Sequence, residues 1–317
     1  MRIERTAIVG KGALGVLYAD CIARNVGDDA VCFVMDEARL QRHATDVTVI
    51  NGIERTFRSA KPADVGPVDL ILFAVKAPAL DEAIGLAAPL VGESTLLVSV
   101  LNGVTSEERI AARFGWERIV PCVAQGMDAM RFGSNVSYSQ AGNLHIGLFE
   151  QTEPSALDAV QEFFARSGIG CIVEKDIRHR MWAKFMGNVG LNQVCAAYGI
   201  DYETLLASER SLAEGKTDPC TEPWRAYIAA MREVVAVGRA EGVDVGEADL
   251  ADMVALLRTL DPHSTPSMGQ DVINRNPTEV DEFSGVMLRL AAKHGLLVPT
   301  NAFLNARLKE IEASYAR

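Results

Sequence analysis

The sequence has no CxxC pair and no clustered histidines. Its six cysteines (Cys21, Cys32, Cys122, Cys171, Cys195 and Cys220) are scattered, most of them inside apolar runs. That spacing excludes a thioredoxin-type redox pair and suits reduced thiols in a cytoplasmic protein. The five histidines lie apart, so no zinc spacing exists and no metal is expected. No apolar run reaches the roughly 18 residues of a membrane span. The N-terminus leads straight into a strand pattern, without a signal-peptide pattern. Basic residues are outnumbered, 31 against 42 acidic ones, for a net charge of −11. Such a surface argues against broad binding to nucleic acid or anionic membranes. No internal repeat or low-complexity tract is found.

What is present is a patterned chain of 317 residues, long enough for two domains. TAIVG (6–10) is a short apolar run ending in glycine. ALGVLYADCIARN (13–25) reads as a helix and AVCFVMD (30–36) as a second strand, a βαβ unit. VTVINGIERTF (47–57) places Asn51–Gly52 between two extended segments and predicts a hairpin. DLILFAVK (69–76) and TLLVSVLNG (95–103) are near-continuous apolar strands of the kind buried in parallel sheets. Helices are expected near 78–91, 106–114 and 155–167. Further strands are expected at 118–125, on both sides of Gly142, and at 170–175. Beyond residue 176 the patterns are helical only: 177–198, 223–241, 247–259, 277–294 and 301–316, with 208–222 a loop. This order predicts an α/β Rossmann-type doubly wound domain over 1–176 and an all-α domain over 177–317. The amphipathic face of 223–241 suits either core packing or pairing of two chains in a homodimer.

GKGALG (10–15) matches GxGxxG. The first glycine permits a tight turn, the second lets backbone approach a pyrophosphate, and the third lets helix pack on strand. At the end of a first strand and the start of a helix, the match predicts dinucleotide binding by Gly10, Lys11, Gly12, Ala13, Leu14 and Gly15. Asp36 ends the second strand, where an acidic residue holds the ribose 2′-hydroxyl of NAD(H). The same residue suits the N-cap of a helix starting at 37. Arg39 and Arg42 follow closely and could instead meet a 2′-phosphate.

Ligands of doubly wound folds collect at the carboxyl ends of strands. Lys76 and Asn102 end two apolar strands there, although taken singly they read more readily as a solvated lysine and an Asn–Gly turn. In MWAKFMGNVGLNQ (181–193), Lys184, Asn188 and Asn192 recur every four residues along one face of an otherwise apolar helix. Ser267 enters a short helix in TPSMGQD. Glu279 follows Pro277 within a first helical turn, where it would also favour the helix dipole.

In order and spacing, eight segments resemble the ketopantoate reductase (2-dehydropantoate 2-reductase) family along most of the chain. They are GKGALG, AVKA (74–77), LNG (101–103), HIG (145–147), MWAKFMGNVGLN (181–192), PSMGQD (266–271), PTEVDEF (277–283) and KHGLLVPTN (293–301). The resemblance implies a Rossmann domain followed by a helical domain of 6-phosphogluconate-dehydrogenase-like C-terminal architecture. It implies NADPH-dependent reduction of 2-dehydropantoate, a small 2-oxo acid, to (R)-pantoate on the way to pantothenate and coenzyme A. Lys184 would be the proton donor, and Glu279 would lie beside the cofactor and the reacting groups. Asn188, Asn192 and Ser267 would bind substrate, and Asn102 would touch substrate and nicotinamide ribose. Lys76, and Ala129 in the AMRFG stretch, would be cofactor contacts. The chemistry agrees with the residue types. Hydride attack on a ketone builds negative charge on oxygen, which a cationic lysine stabilises and protonates. Amides and a hydroxyl supply neutral partners for a carboxylate and a hydroxyl.

The sequence departs from the family pattern at four places. Asp36 stands where many members carry a basic residue, so NADP(H) follows from the resemblance while NAD(H) stays open. Gly269 replaces a larger apolar residue, Ser284 stands where Asn–Gly is common, and 203–222 is longer than in compact members. Two alternatives therefore stand beside ketopantoate reduction. One is a reductase of the same fold acting on another 2-oxo acid. The other is a non-catalytic NAD(P)-binding sensor, which would bind cofactor without turnover.

Overall fold

The computed structural model describes residues 1–43 and 47–316. The chain forms two compact units, Met1–Arg180 and Met181–Arg317. Along the first run β1 (Thr6–Val9), α1 (Ala13–Asn25), β2 (Val31–Val34), α2 (Glu37–Arg42), β3 (Thr48–Ile50), β4 (Ile53–Arg55) and β5 (Ser59–Ala60). These are followed by α3 (Pro62–Val65), β6 (Val68–Phe73), α4 (Leu80–Ala87), β7 (Val91–Ser99), α5 (Ser106–Phe114) and β8 (Cys122–Met127). The unit continues through β9 (Met130–Phe132), β10 (Asn135–Ser137), β11 (Ala141–Ile146), α6 (Pro154–Arg166) and β12 (Cys171–Val173).

The main sheet is parallel, in the order β5-β2-β1-β6-β7. Alternating residues of each strand serve opposite faces. Ile8 and Leu70 join one core with Leu17 of α1 and Phe163 and Phe164 of α6. Val9, Ile71 and Phe73 join the other with Leu80 and Ile84 of α4 and Ile110 of α5. Both faces are covered, which is why these strands read as continuous apolar runs.

The Asn51–Gly52 hairpin forms, with φ of 47° and 84° at its two turn residues. Its strands belong to a separate four-stranded sheet, β4-β3-β10-β9, and a third sheet has the order β12-β11-β8. The turn expected at Gly142 is displaced. Gly142 lies inside β11 at φ 64°, and residues 138–140 make the connection. A Cβ there would stand 2.4 Å from the Gln125 carbonyl oxygen on the partner strand, so glycine is kept for close approach rather than for a turn.

Helices fill the second unit. They are α7 (Ile177–Gly187), which starts before its boundary, α8 (Gln193–Tyr198), α9 (Tyr202–Ala213), α10 (Glu222–Ala240), α11 (Glu247–Leu257), α12 (Ser267–Ile273), α13 (Val286–Lys293) and α14 (Pro299–Ala313). A π-turn, Asn188–Asn192, joins α7 to α8, and a second, Asp281–Gly285, leads into α13. The loop expected over 208–222 is helical as far as Ala213. Asp201 caps α9 by accepting from the Thr204 backbone N–H at 2.8 Å, and the buried Ser208 hydroxyl accepts from the Trp224 N–H at 3.1 Å. The charges that suggested a loop are its exposed face. Trp182, Phe185, Tyr227, Met231 and Phe283 are buried in this unit. Among the described residues no helix is long and apolar enough to cross a membrane.

Candidate active site

The parallel sheet brings the ends of β1, β2, β6 and β7 to one edge. Gly10 follows β1 at φ 115°, and a Cβ there would lie 2.4 Å from the Ala74 carbonyl oxygen beyond β6. A Cβ at Gly15 would stand 2.0 Å from the Gly10 oxygen. Both glycines are thus required by the fold itself. Gly12, the N-cap of α1, is different, because its added Cβ would meet nothing nearer than 3.8 Å. Internal packing does not demand glycine at this position, whereas close approach of a phosphate does. The turn therefore fits a dinucleotide. Lys11 places its ammonium 5.7 Å from the centroid of the Phe33 ring, and Ala13 and Leu14 open α1. The Arg131 guanidinium, which sequence reasoning passed over, donates to the Lys11 carbonyl from β9.

Asp36 is the N-cap of α2 and accepts from the Arg39 N–H at 2.7 Å. This bond, helped by the Arg39 guanidinium, holds the Asp36 carboxyl below its usual range. Arg39 lies 3.1 Å from Asp36 Oδ2 and forks onto Glu82 at 2.7 and 3.0 Å. Lys76 does not end its strand: β6 stops at Phe73, and Lys76 is an exposed cap of the short turn Ala77–Ala79. Ala129 is half-buried in the β8–β9 connection.

Asn102 is half-buried, three residues beyond β7. A buried chain of hydrogen bonds links the residues on either side of it in sequence. Ser99 donates to Ser106 Oγ at 2.8 Å, Ser106 donates to Glu107 Oε2 at 2.8 Å, and the Leu101 N–H donates to Ser99 Oγ at 3.3 Å. Burial pushes the Glu107 carboxyl up to about 7, against hydrogen bonds from Ser106 and from the backbone N–H groups of Glu107 and Cys122. In the sequence Glu107 looks like an ordinary first-turn acid, whereas in the fold it is buried and meets the Cys122 N–H of β8.

In the second unit Lys184 is half-buried on α7, one turn before the first π-turn. Asn192 Nδ2 donates to Asn188 Oδ1 at 3.0 Å. Asn192 Oδ1 accepts from Ser267 Oγ and from the Met268 N–H, both at 3.3 Å. Three of the expected substrate residues are thus joined, and the Met268 N–H fixes which way the Asn192 amide points. Asn188 Nδ2 is buried and has no protein partner. A buried donor left unmet costs ~1–3 kcal/mol, which an acceptor on a ligand would offset. Glu279 is half-buried two residues before the second π-turn, so it precedes the helix rather than lying in its first turn. Its carbonyl accepts from the Glu282 and Phe283 N–H groups at 3.0 and 3.2 Å. Gly269 faces Thr265, whose Oγ1 would lie 2.3 Å from an added Cβ. The threonine fills the space that a larger side chain would take.

A Rossmann-type sheet with a glycine-rich turn after its first strand, followed by a helical unit, is the architecture of a nicotinamide-dinucleotide-dependent oxidoreductase. Residues 6–151 match the family described as Ketopantoate reductase PanE/ApbA, and residues 176–312 match its C-terminal model. The chain belongs to the ketopantoate reductase family. A 2-dehydropantoate 2-reductase of Caulobacter vibrioides is 29% identical over 304 residues, covering 95% of this chain and 97% of the relative. The crystal structure of 2-dehydropantoate 2-reductase from Geobacter metallireducens superposes with a TM-score of 0.81 at 25% identity, over 96% of this chain and 99% of that one. D-mandelate dehydrogenase, solved with NADH and anilino(oxo)acetate, shares the fold with a TM-score of 0.83 at 21% identity, over 98% and 99% of the two chains.

Proposed function

We propose that the chain reduces 2-dehydropantoate to (R)-pantoate, with Lys184 as proton donor. The observation that carries this reading is the Asn188–Asn192–Ser267 cluster with its unmet Asn188 donor, built on the helix that bears Lys184. When bound, the dihydronicotinamide supplies the hydride to the ketone carbon. Lys184 stabilises the oxygen as charge develops on it, gives it a proton, and is recharged from solvent. Asn188 and Asn192 offer an amide donor and an oriented amide to the substrate carboxylate and hydroxyl, and Ser267 adds a hydroxyl. Glu279 lies beside the reacting groups, and Asn102, Lys76, Ala129 and the glycine turn hold the cofactor.

Lys184→Ala is expected to lower kcat by a factor on the order of 10² to 10⁴ while nicotinamide cofactor still quenches tryptophan fluorescence. Near-normal turnover in that variant would sink the assignment, and cofactor binding without turnover in the wild type would favour a sensor. A second reading, reduction of another 2-oxo acid, is favoured by Gly269, which sits against Thr265 two residues from Ser267 where a larger apolar residue is common. Initial rates across a panel of 2-oxo acids separate the two readings by kcat/KM. For the cofactor, NADH is proposed to serve at least as well as NADPH, because Asp36 and Glu82 already engage Arg39. A tenfold or greater preference for NADPH, roughly 1.4 kcal/mol, would overturn this.

A further inference from the structure

Gln193 closes the run MWAKFMGNVGLNQ and has no role in the chemistry above. It is fully buried, and its amide bridges the two π-turns of the second unit. Nε2 donates to the Val189 carbonyl in the first π-turn at 2.9 Å and to Asn301 Oδ1 at 3.3 Å. Oε1 accepts from the Ser284 backbone N–H in the second π-turn at 3.0 Å. A backbone N–H only donates and a backbone carbonyl only accepts, so these partners fix the orientation of the amide.

The need for such a bridge follows from helix geometry. A π-turn moves a hydrogen bond from the fourth preceding residue to the fifth. In the second π-turn the Gly285 N–H takes the Val280 carbonyl at 3.0 Å, which a regular helix would give to the Ser284 N–H. Ser284 then needs another acceptor in a fully buried place, and Gln193 supplies it. The Ser284 hydroxyl donates to the Val280 carbonyl at 3.3 Å and accepts from Asn305 Nδ2 at 3.1 Å. On the other side, Asn301 Nδ2 donates to Glu233 Oε2 at 2.7 Å, and that carboxylate also accepts the Thr300 and Asn301 N–H groups that open α14. The amide thus sits in the middle of a connected polar chain anchored at the start of α14, with both ends of the amide engaged.

We propose that Gln193 is a positioning residue for catalysis, holding the two π-turns in register. The first π-turn carries Asn188 and Asn192 and follows Lys184 directly. The second begins two residues after Glu279. The proposal rests on the reading of those residues as the substrate machinery. An apolar side chain of equal length would fill the space. It would leave the Ser284 N–H unmet and let either turn relax toward regular helical pairing. Displacements of about 1 Å at reacting groups cost on the order of 10²-fold in rate.

The test combines a kinetic and a structural readout. Gln193→Met is expected to speed hydrogen exchange at the Ser284 amide about tenfold or more and to lower kcat about 10- to 100-fold. The KM for nicotinamide cofactor is expected to change less than about twofold, because the glycine turn is untouched. Gln193→Glu is the discriminating variant. Its neutral carboxyl supplies one donor and one acceptor, whereas the carboxylate only accepts. Its kcat relative to wild type should therefore recover as the pH is lowered from about 8 to about 6 while protection of the Ser284 amide is kept at both, because either form still accepts from that N–H, a pairing a space-filling role does not give. Wild-type exchange at Ser284 and wild-type kcat in Gln193→Met would overturn the proposal. Should that variant not fold, Gln193→Glu decides the matter through Ser284 amide protection, whose loss at both pH values would overturn the proposal. If the wild-type enzyme reduces no 2-oxo acid, the functional reading and the positioning role both fall, whereas normal wild-type turnover with an unaffected Gln193→Met removes the positioning role only.

Discussion

At the scale of single residues, Asp36 and Arg39 show how a local signal and a distant one combine. The cap is local: Asp36 accepts from the N–H three residues on, one of the two roles the sequence offered for it. The clamp is not local, because Glu82 comes from α4, 43 residues from Arg39. Its geometry sets a prediction. The double variant Asp36→Ala, Glu82→Gln frees a guanidinium beside the proposed ribose site and is expected to raise the NADPH/NADH ratio of kcat/KM about tenfold. An unchanged ratio would show that Arg39 does not face the adenosine end. The glycine turn and the Lys184/Asn188/Asn192 stripe were legible because each is a short periodic pattern. Gln193, Glu107 and Arg131 were not, since beside their local bonds each takes its defining surroundings from distant chain: Ser284 and Asn301 for Gln193, burial and the Cys122 N–H for Glu107, and the Lys11 carbonyl for Arg131.

At the scale of elements, the two helical glycines beside the stripe separate clearly. An added Cβ at Gly190 would stand 2.7 Å from Met231 Cγ and 3.0 Å from the Tyr227 ring, both fully buried on α10. Gly190 thus serves helix packing. Gly190→Val is expected to cost ~1–3 kcal/mol through overpacking, read as a lower thermal midpoint. At Gly187 the nearest atom is the Met253 sulfur at 3.0 Å, the tip of a flexible side chain. Gly187→Ala is expected to stay within about 1 kcal/mol of wild type, since gained helix propensity offsets the shifted thioether. A drop in midpoint for Gly187→Ala as large as for Gly190→Val would contradict this contrast. Helical periodicity revealed the stretch 177–198 but not its π-turn, because the extra residue changes hydrogen bonding without breaking the apolar pattern. The hairpin was legible from two residues, whereas its pairing with β10 across some 85 residues of chain was not.

At the scale of the whole molecule, stability should vary with pH in two opposite senses. Asp201 accepts from the Thr204 hydroxyl and N–H, Asp128 from the Ser139 hydroxyl and the Gln140 and Ser139 N–H groups, and Asp36 from Arg39. All three carboxyls are lowered by these bonds. Their contribution is present above the ordinary carboxylate range and is lost as the pH falls through their depressed values. Glu107 acts the other way. Its folded value of about 7 exceeds the ordinary glutamate value of 4.5, so the folded state binds the extra proton. Its contribution is full below about 4.5 and is lost as the pH rises through 7, on the order of 3 kcal/mol in all. Thermal midpoints should therefore fall between pH 5 and pH 8, and Glu107→Gln should flatten that fall. A pH dependence that is the same in wild type and Glu107→Gln would contradict this role for Glu107.

A π-turn amounts to one residue added to a helix. The two additions here lie some 90 positions apart in the chain, yet a single side chain bonds to both, so a change in one is felt at the other. Removing one residue from 188–192 would rewind the first helix and leave the Ser284 amide facing the wrong atom. Relatives that have lost one addition are therefore expected to have lost its counterpart, or to carry a different polar group where Gln193 stands. Lengths of these two helices should covary across the family even where their sequences do not.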